Sequence, residues 1–194
     1  RSAQDESELA PLQDAIVRAA NEIDPAPATS LVAEFNKANG KRKSSLIWIL
    51  ARLNSADALA VVINQASGKS PMRNEALQAF ASGPSVTAIP QLIELIRAAD
   101  DKNVKKMAMQ KVIRLTRDGH GISLSDRVDY SKAMMEIAES KQDKYKVLGI
   151  APRARTVESL EFVDAYLEDA SLQGEAAKAA IEIAVPRDEN DSGL

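Results

Sequence analysis

Cysteine is absent from this chain of 194 residues, which removes disulfides, thiolate metal sites and a cysteine nucleophile at one stroke. That absence suits any compartment and says nothing of redox environment. Histidine occurs once, at His120. A metal centre needs three or four converging ligands, so no metal is expected, and no other cofactor is indicated. Aromatic residues supply only 4% of the chain although apolar types reach 45%. Leu, Ile, Val and Ala must therefore fill the core, and because strands draw on aromatic and β-branched residues, the balance favours helices. No apolar run approaches the ~20 residues that span a bilayer. The densest, SLIWILARL at 45–53, is interrupted at Arg52, so no membrane span is expected. Nor does one sign of charge dominate. The net charge is −3, too little to draw the protein onto nucleic acid or an anionic membrane as a whole. A phosphate-binding loop, a Gly-rich dinucleotide turn and G-x-S-x-G are all missing. No catalytic residue, no enzyme activity and no small-molecule substrate is indicated.

What the chain does have is regular helical punctuation. In SGPSVTAIPQLIELI (82–96), Thr87 reads as an N-cap that puts Pro90 third in the helix, where its missing N–H has no intrahelical partner anyway. Ile89, Leu92, Ile93 and Ile96 then form one buried stripe at i, i+3, i+4, i+7. Ser70-Pro71 reads as an N-cap and first helical position, and Gly83-Pro84 as the stop after MRNEALQAFAS. The pattern recurs. Two helices lie between Gly40 and Gly68, the second capped by Ser55; 102–116 pairs with 126–140, and 141–152 pairs with 156–169, capped by Thr156. Residues 9–23 and 29–38 make a more divergent opening pair. Aligned first helices match Ile47, Leu77, Met109, Leu148 and Ala177, at steps of 30, 32, 39 and 29 residues. Three residues on, they match Leu50, Phe80, Val112, Ala151 and Ala180. Helical hairpins at this spacing mark an α-solenoid, each pair stable only against its neighbours; an irregular helical bundle is the other fold in play.

The stretch SVTAIPQLIELIRAADDKNVKKMAMQKVIRLT (85–116) resembles the HEAT repeat in its second helix AIPQLIELI, its acidic turn ADD and a first helix that opens on Val and basic residues. GEAAKAAIEIA (174–184) looks like the first helix of a further repeat. The resemblance implies an all-α, right-handed α-solenoid of HEAT-like, armadillo-like helical hairpin repeats. It covers most of 41–184 and identifies an architecture shared by unrelated functions. A narrower resemblance joins YKVLGIAPRARTVESLEFVDAYLED to helical parts of secreted bacterial multidomain proteins, some with a 3-keto-disaccharide hydrolase-type domain. It implies a periplasmic or extracytoplasmic setting and a carbohydrate-associated partner, but no such sheet-rich domain is present to lend its activity.

Candidate binding residues come from uneven charge. Lys41, Arg42 and Lys43, then Lys69 and Arg73, then Lys102, Lys105 and Lys106, then Lys141, Lys144 and Lys146 recur at inter-repeat junctions. Stacking would align them into a basic rim for a polyanion or an acidic protein. Alternatively Asp100, Asp101 and Asp143 beside them make a local ladder of surface pairs. His120, in the loop RDGHGISLS where one repeat stretches, is either a site residue with Asp118 or Asp126 or an exposed loop histidine. Trp48 lies in a helix apolar almost all round and reads as packing or as a partner anchor. Glu158, Glu161, Asp164 and Glu168 read as a solvated helix face or, with a cleft, as acid–base pairs.

Three segments follow: a divergent helical pair at 1–40, HEAT-like repeats at 41–185, and a polar tail or linker at 186–194. The chain opens at Arg1 in RSAQDESE, which reads as a processed or trimmed product of a longer protein. The expected function is a non-catalytic scaffold or interaction module for a protein partner or flanking domain. The alternative is a HEAT-like enzyme or nucleic-acid-processing domain that uses the basic rim.

Overall fold

A computed structural model describes residues 2–22, 26–67 and 69–185. The tail at 186–194 and Ile23 lie outside them. The described residues are all-α: eleven α-helices and two short 3-10 turns, with no strand among them. The fold divides into two compact units, 1–108 and 109–194, and the division falls inside one helix.

The first unit holds α1 (Ser2–Glu22), α2 (Ala26–Lys37), α3 (Gly40–Leu50), α4 (Ala56–Ser67), α5 (Arg73–Ser82), α6 (Ile89–Ala98) and the start of α7 (Lys102–Asp118). Helix α3 packs on α1 and on α5, and α4 packs on α2 and on α6. Odd and even helices therefore form two rows, joined by the hairpins α3–α4 and α4–α5. Between the rows lie Ile47, Leu50, Leu59, Val62, Ile63, Ile89 and Leu92, none of them exposed.

The second unit holds the rest of α7, then α8 (Leu124–Ile137), α9 (Lys141–Leu148), a 3-10 turn at Ala151–Arg153, α10 (Val157–Asp164) and α11 (Gln173–Ala184). Here α10 packs on α8, and α11 on α9. Val147, Leu148, Ile150, Val163 and Ile183 are fully enclosed.

Several helix starts differ from the sequence expectation, each because a hydroxyl is used otherwise. A 3-10 turn at Val86–Ala88 precedes α6, so the helix begins at Ile89 with Ala88 at its N-cap position and no side-chain cap. Thr87 instead donates through Oγ1 to Asn54 Oδ1 at 3.1 Å. Pro90 stays in the first turn, where it costs little. The Ser70 hydroxyl accepts from Met72 N at 3.1 Å and closes a turn ahead of α5, which starts only at Arg73. Helix α8 starts at Leu124, capped by Ser123, which accepts from Asp126 N at 3.0 Å. Ser140 is the cap of α9 and not the end of α8. Thr156 does cap α10, in a reciprocal box with Ser159.

The aligned repeat positions are also shifted in two helices. Ile47, Met109 and Leu148 are buried, as are Leu50, Phe80, Val112 and Ala151. In α5 the buried position is Ala76, with Leu77 only half-buried; in α11 it is Ala176 and Ala179, with Ala177 and Ala180 half-buried. Both helices are alanine-rich, and a methyl at either neighbouring position suits a close approach.

Candidate functional site

Several of the basic candidates are held by their own neighbours. In the first unit Lys41 and Arg42 are exposed on the first turn of α3, and the Arg42 guanidinium binds the Glu34 carboxylate. Lys43 is half-buried, with its ammonium 4.8 Å from the ring centre of Phe35. Arg73 is exposed at the start of α5, Lys106 is exposed on α7 and Lys105 half-buried. In the second unit Lys146 pairs with Asp143 at 3.7 Å, and the Lys141 ammonium stands 5.2 Å from the Tyr145 ring centre. The half-buried Lys144 helps hold the Asp169 carboxyl below its ordinary range, after the larger effect of hydrogen bonds from Ser171. Trp48 is half-buried although Leu46, Ile47, Ile49 and Leu50 around it are buried.

His120 is exposed in the loop after α7. What organises that loop is Arg127, a residue the sequence did not single out. Its side chain is 9% exposed, and its guanidinium donates to the carbonyl oxygens of Thr116, of Arg117 at 2.9 Å and of Gly119 at 3.3 Å. These are last-turn carbonyls of α7 and the first of the loop, groups a helix end leaves without partners. A cation there also meets the negative end of the helix dipole. Burial, then the neighbouring Arg153, lowers the Arg127 pKa; the nearby Asp118 opposes this. Gly121 has φ +83°, the left-handed conformation that lets the chain turn into α8. The one available signal was a charged residue on the stripe Val128, Ser131, Met134, Met135. Lys111 is a second buried charge, 6% exposed, with its ammonium pushed down to about 8 by burial and then by Arg114.

Two concave features stand out. In the second unit a groove of about 370 Å³ runs between α8 and α10, with Phe162, Ala165 and Tyr166 as its apolar wall and Lys132, Glu136 and Glu161 on its rim. The Phe162 and Tyr166 rings meet edge to face, 5.7 Å apart at 73°. Burial, then the nearby Glu136, pushes the Tyr166 phenol up; burial, Asp126 and Asp129 do the same to Tyr130. The flanking helix surface is strongly acidic. Asp126, Asp129, Glu136, Glu158, Glu161 and Asp164 are exposed on α8 and α10, against one exposed base, Lys132. Of the acidic residues the sequence grouped together, Glu158, Glu161 and Asp164 belong to this face and Glu168 lies past the end of α10.

In the first unit a cavity of about 570 Å³ opens among the end of α1, the start of α2, the α3–α4 turn and α6. Its polar lining is Asn21, Glu22, Asn54, Ser55, Gln91 and Glu94. No spacing along the chain points to it, since these residues come from well-separated segments. Among the described residues no three His, Asp or Glu side chains are placed to hold a metal ion, and no helix is long and apolar enough to cross a membrane.

No family model, curated protein or solved structure matches this chain.

Proposed function

We propose that the chain is a HEAT-like, right-handed α-solenoid segment that acts as a non-catalytic interaction module and takes a basic segment of a protein partner against α8 and α10. The packing of odd helices on odd and even on even within each unit supports the stacked-hairpin part of this reading. The observation that carries the binding part is the acidic, aromatic-walled groove on the even-helix row of the second unit. Aromatic walls offer apolar area to the stem of a lysine or arginine and a negative ring face to its charge. The ring of carboxylates speeds the encounter and rejects acidic partners. Each exposed pair contributes only ~0–1 kcal/mol, so affinity would build from several contacts along a segment.

Fluorescence anisotropy with a labelled Lys/Arg-rich peptide tests this on the full chain. Binding at low ionic strength should weaken about tenfold when Glu136→Gln and Glu161→Gln are combined, as the loss of two partly exposed charge contacts implies. The same peptide with serine for each base should not bind. Indifference to the double variant would overturn the proposal.

A further inference from the structure

We infer that the groove between α8 and α10 takes one arginine side chain of the partner segment in preference to lysine, and that Tyr166 sets this preference. The inference rests on the module reading and narrows it from basic residues in general to one side chain.

The groove is an apolar slot with charge along its edges. Phe162, Ala165 and Tyr166 wall it, Glu136 stands on its α8 side and Glu161 on its α10 side, and Lys132 is the one base on the rim. Its volume of about 370 Å³ lies near the lower end of ligand-sized pockets. That suits a single side chain better than a folded segment. An apolar wall below carboxylates is complementary to a side chain with a long apolar stem and a cationic tip, the stem against the wall and the tip at the rim.

Two features separate arginine from lysine in such a slot. The first is that the two carboxylates come from different helices, so one ligand charge answers both only if its donors spread. A guanidinium carries five N–H groups in one rigid plane, whereas an ammonium is a compact point charge. The second is the ring pair. Phe162 and Tyr166 meet edge to face at 73°, which leaves each ring a face that the other does not cover. Phe162 is buried and Tyr166 half-buried, so Tyr166 has the more surface to offer. A guanidinium stacks flat on such a face and is more weakly hydrated than an ammonium, so it gives up less on leaving water. The Glu136 charge acts at the same ring: after burial, it is what raises the Tyr166 phenol.

Anisotropy titrations of the full chain with two labelled peptides test this. The peptides have equal length and charge, one with arginine as its only base and the other with lysine. The arginine peptide should bind about fivefold tighter, as one cation–π contact at a partly exposed ring implies. Tyr166→Leu keeps an apolar wall without a ring and should bring the two peptides within about twofold. Tyr166→Phe returns the ring face and should return the preference. An unchanged far-UV melt verifies that each variant folds, and the comparison on the parent chain needs no variant. Equal affinity of the parent for both peptides overturns the inference and leaves the module reading standing. A preference undiminished in folded Tyr166→Leu overturns it too, because the difference would then lie in the peptides themselves. If neither peptide binds the parent, the module reading and the inference fall together.

Discussion

Arg127 commits a buried guanidinium to three main-chain carbonyls at the end of α7, and the loop that carries His120 depends on it. Replacing it with methionine keeps much of the stem but leaves those carbonyls without their charged donor. The expected loss is about 2–4 kcal/mol in a urea melt, with faster amide exchange at 119–123. Arg127→Lys should recover only part of it, because a point charge cannot fork to three acceptors. Lys111 makes a different prediction. Its ammonium titrates near 8 in the folded protein against 10.5 for the free group. Between those values the unfolded chain binds more protons, so this group's contribution to stability rises with pH; below about 8 the penalty of burying the charge is present in full. Relative to Lys111→Met, the parent should gain up to ~3 kcal/mol between pH 7 and pH 10.5. The tyrosines whose phenols burial pushes up are common to both proteins and cancel in that difference. A parent–variant gap that stays constant across the range would show that Lys111 is solvated.

Helices were legible where an apolar stripe repeats at helical spacing, and several of their starts were not, Thr156 at α10 excepted. Ile89, Leu92, Ile93 and Ile96 are buried as that spacing requires, yet α6 begins later than Thr87 suggests because the hydroxyl has a side-chain partner in another turn. A serine or threonine announces a local hydrogen bond, and sequence does not say whether a helix, a turn or a distant side chain receives it. Gly83 does end α5, as its place in the sequence suggests, but the reason for glycine there lies outside the helix. It stands at the end of α5 with φ −70°, so no left-handed conformation demands glycine. What demands it is contact: a Cβ there would lie 2.6 Å from the Ala51 carbonyl oxygen and 2.7 Å from the Ala51 methyl. Gly83→Ala should therefore cost about 1–3 kcal/mol by forcing α5 away from the α3 end, read as a lowered urea midpoint. The groove and the cavity were illegible for a related reason. Their residues meet only through packing between helices, which no spacing along the chain encodes. Leu92→Ala tests that packing directly. Its side chain is fully buried, so the change should cost about 2–5 kcal/mol. Because α4 packs on α6, amide protection should fall in α4 as well as in α6; loss confined to α6 would mean the rows do not support each other.

Across the whole molecule charge is near balance, but its distribution is not uniform. Basic residues gather at helix starts, while exposed carboxylates dominate α8 and α10. Four of the basic residues are answered at close range. Arg42 and Lys146 have carboxylates within ion-pair distance, and Lys43 and Lys141 rest over aromatic rings. A charge answered that closely projects little beyond the ~10 Å over which salt at 0.1 M screens it. A nucleic-acid binder needs the opposite arrangement, several unanswered cations along one face releasing counterions from a phosphate backbone. The full chain should therefore pass through immobilised heparin without retention even at low ionic strength. If it is retained, elutes with salt and loses that retention when Lys105→Glu and Lys106→Glu are combined, the basic rim is a polyanion site after all. The basic-peptide assay and the heparin column thus ask opposite questions of the same surface charge, and only one should give salt-sensitive binding.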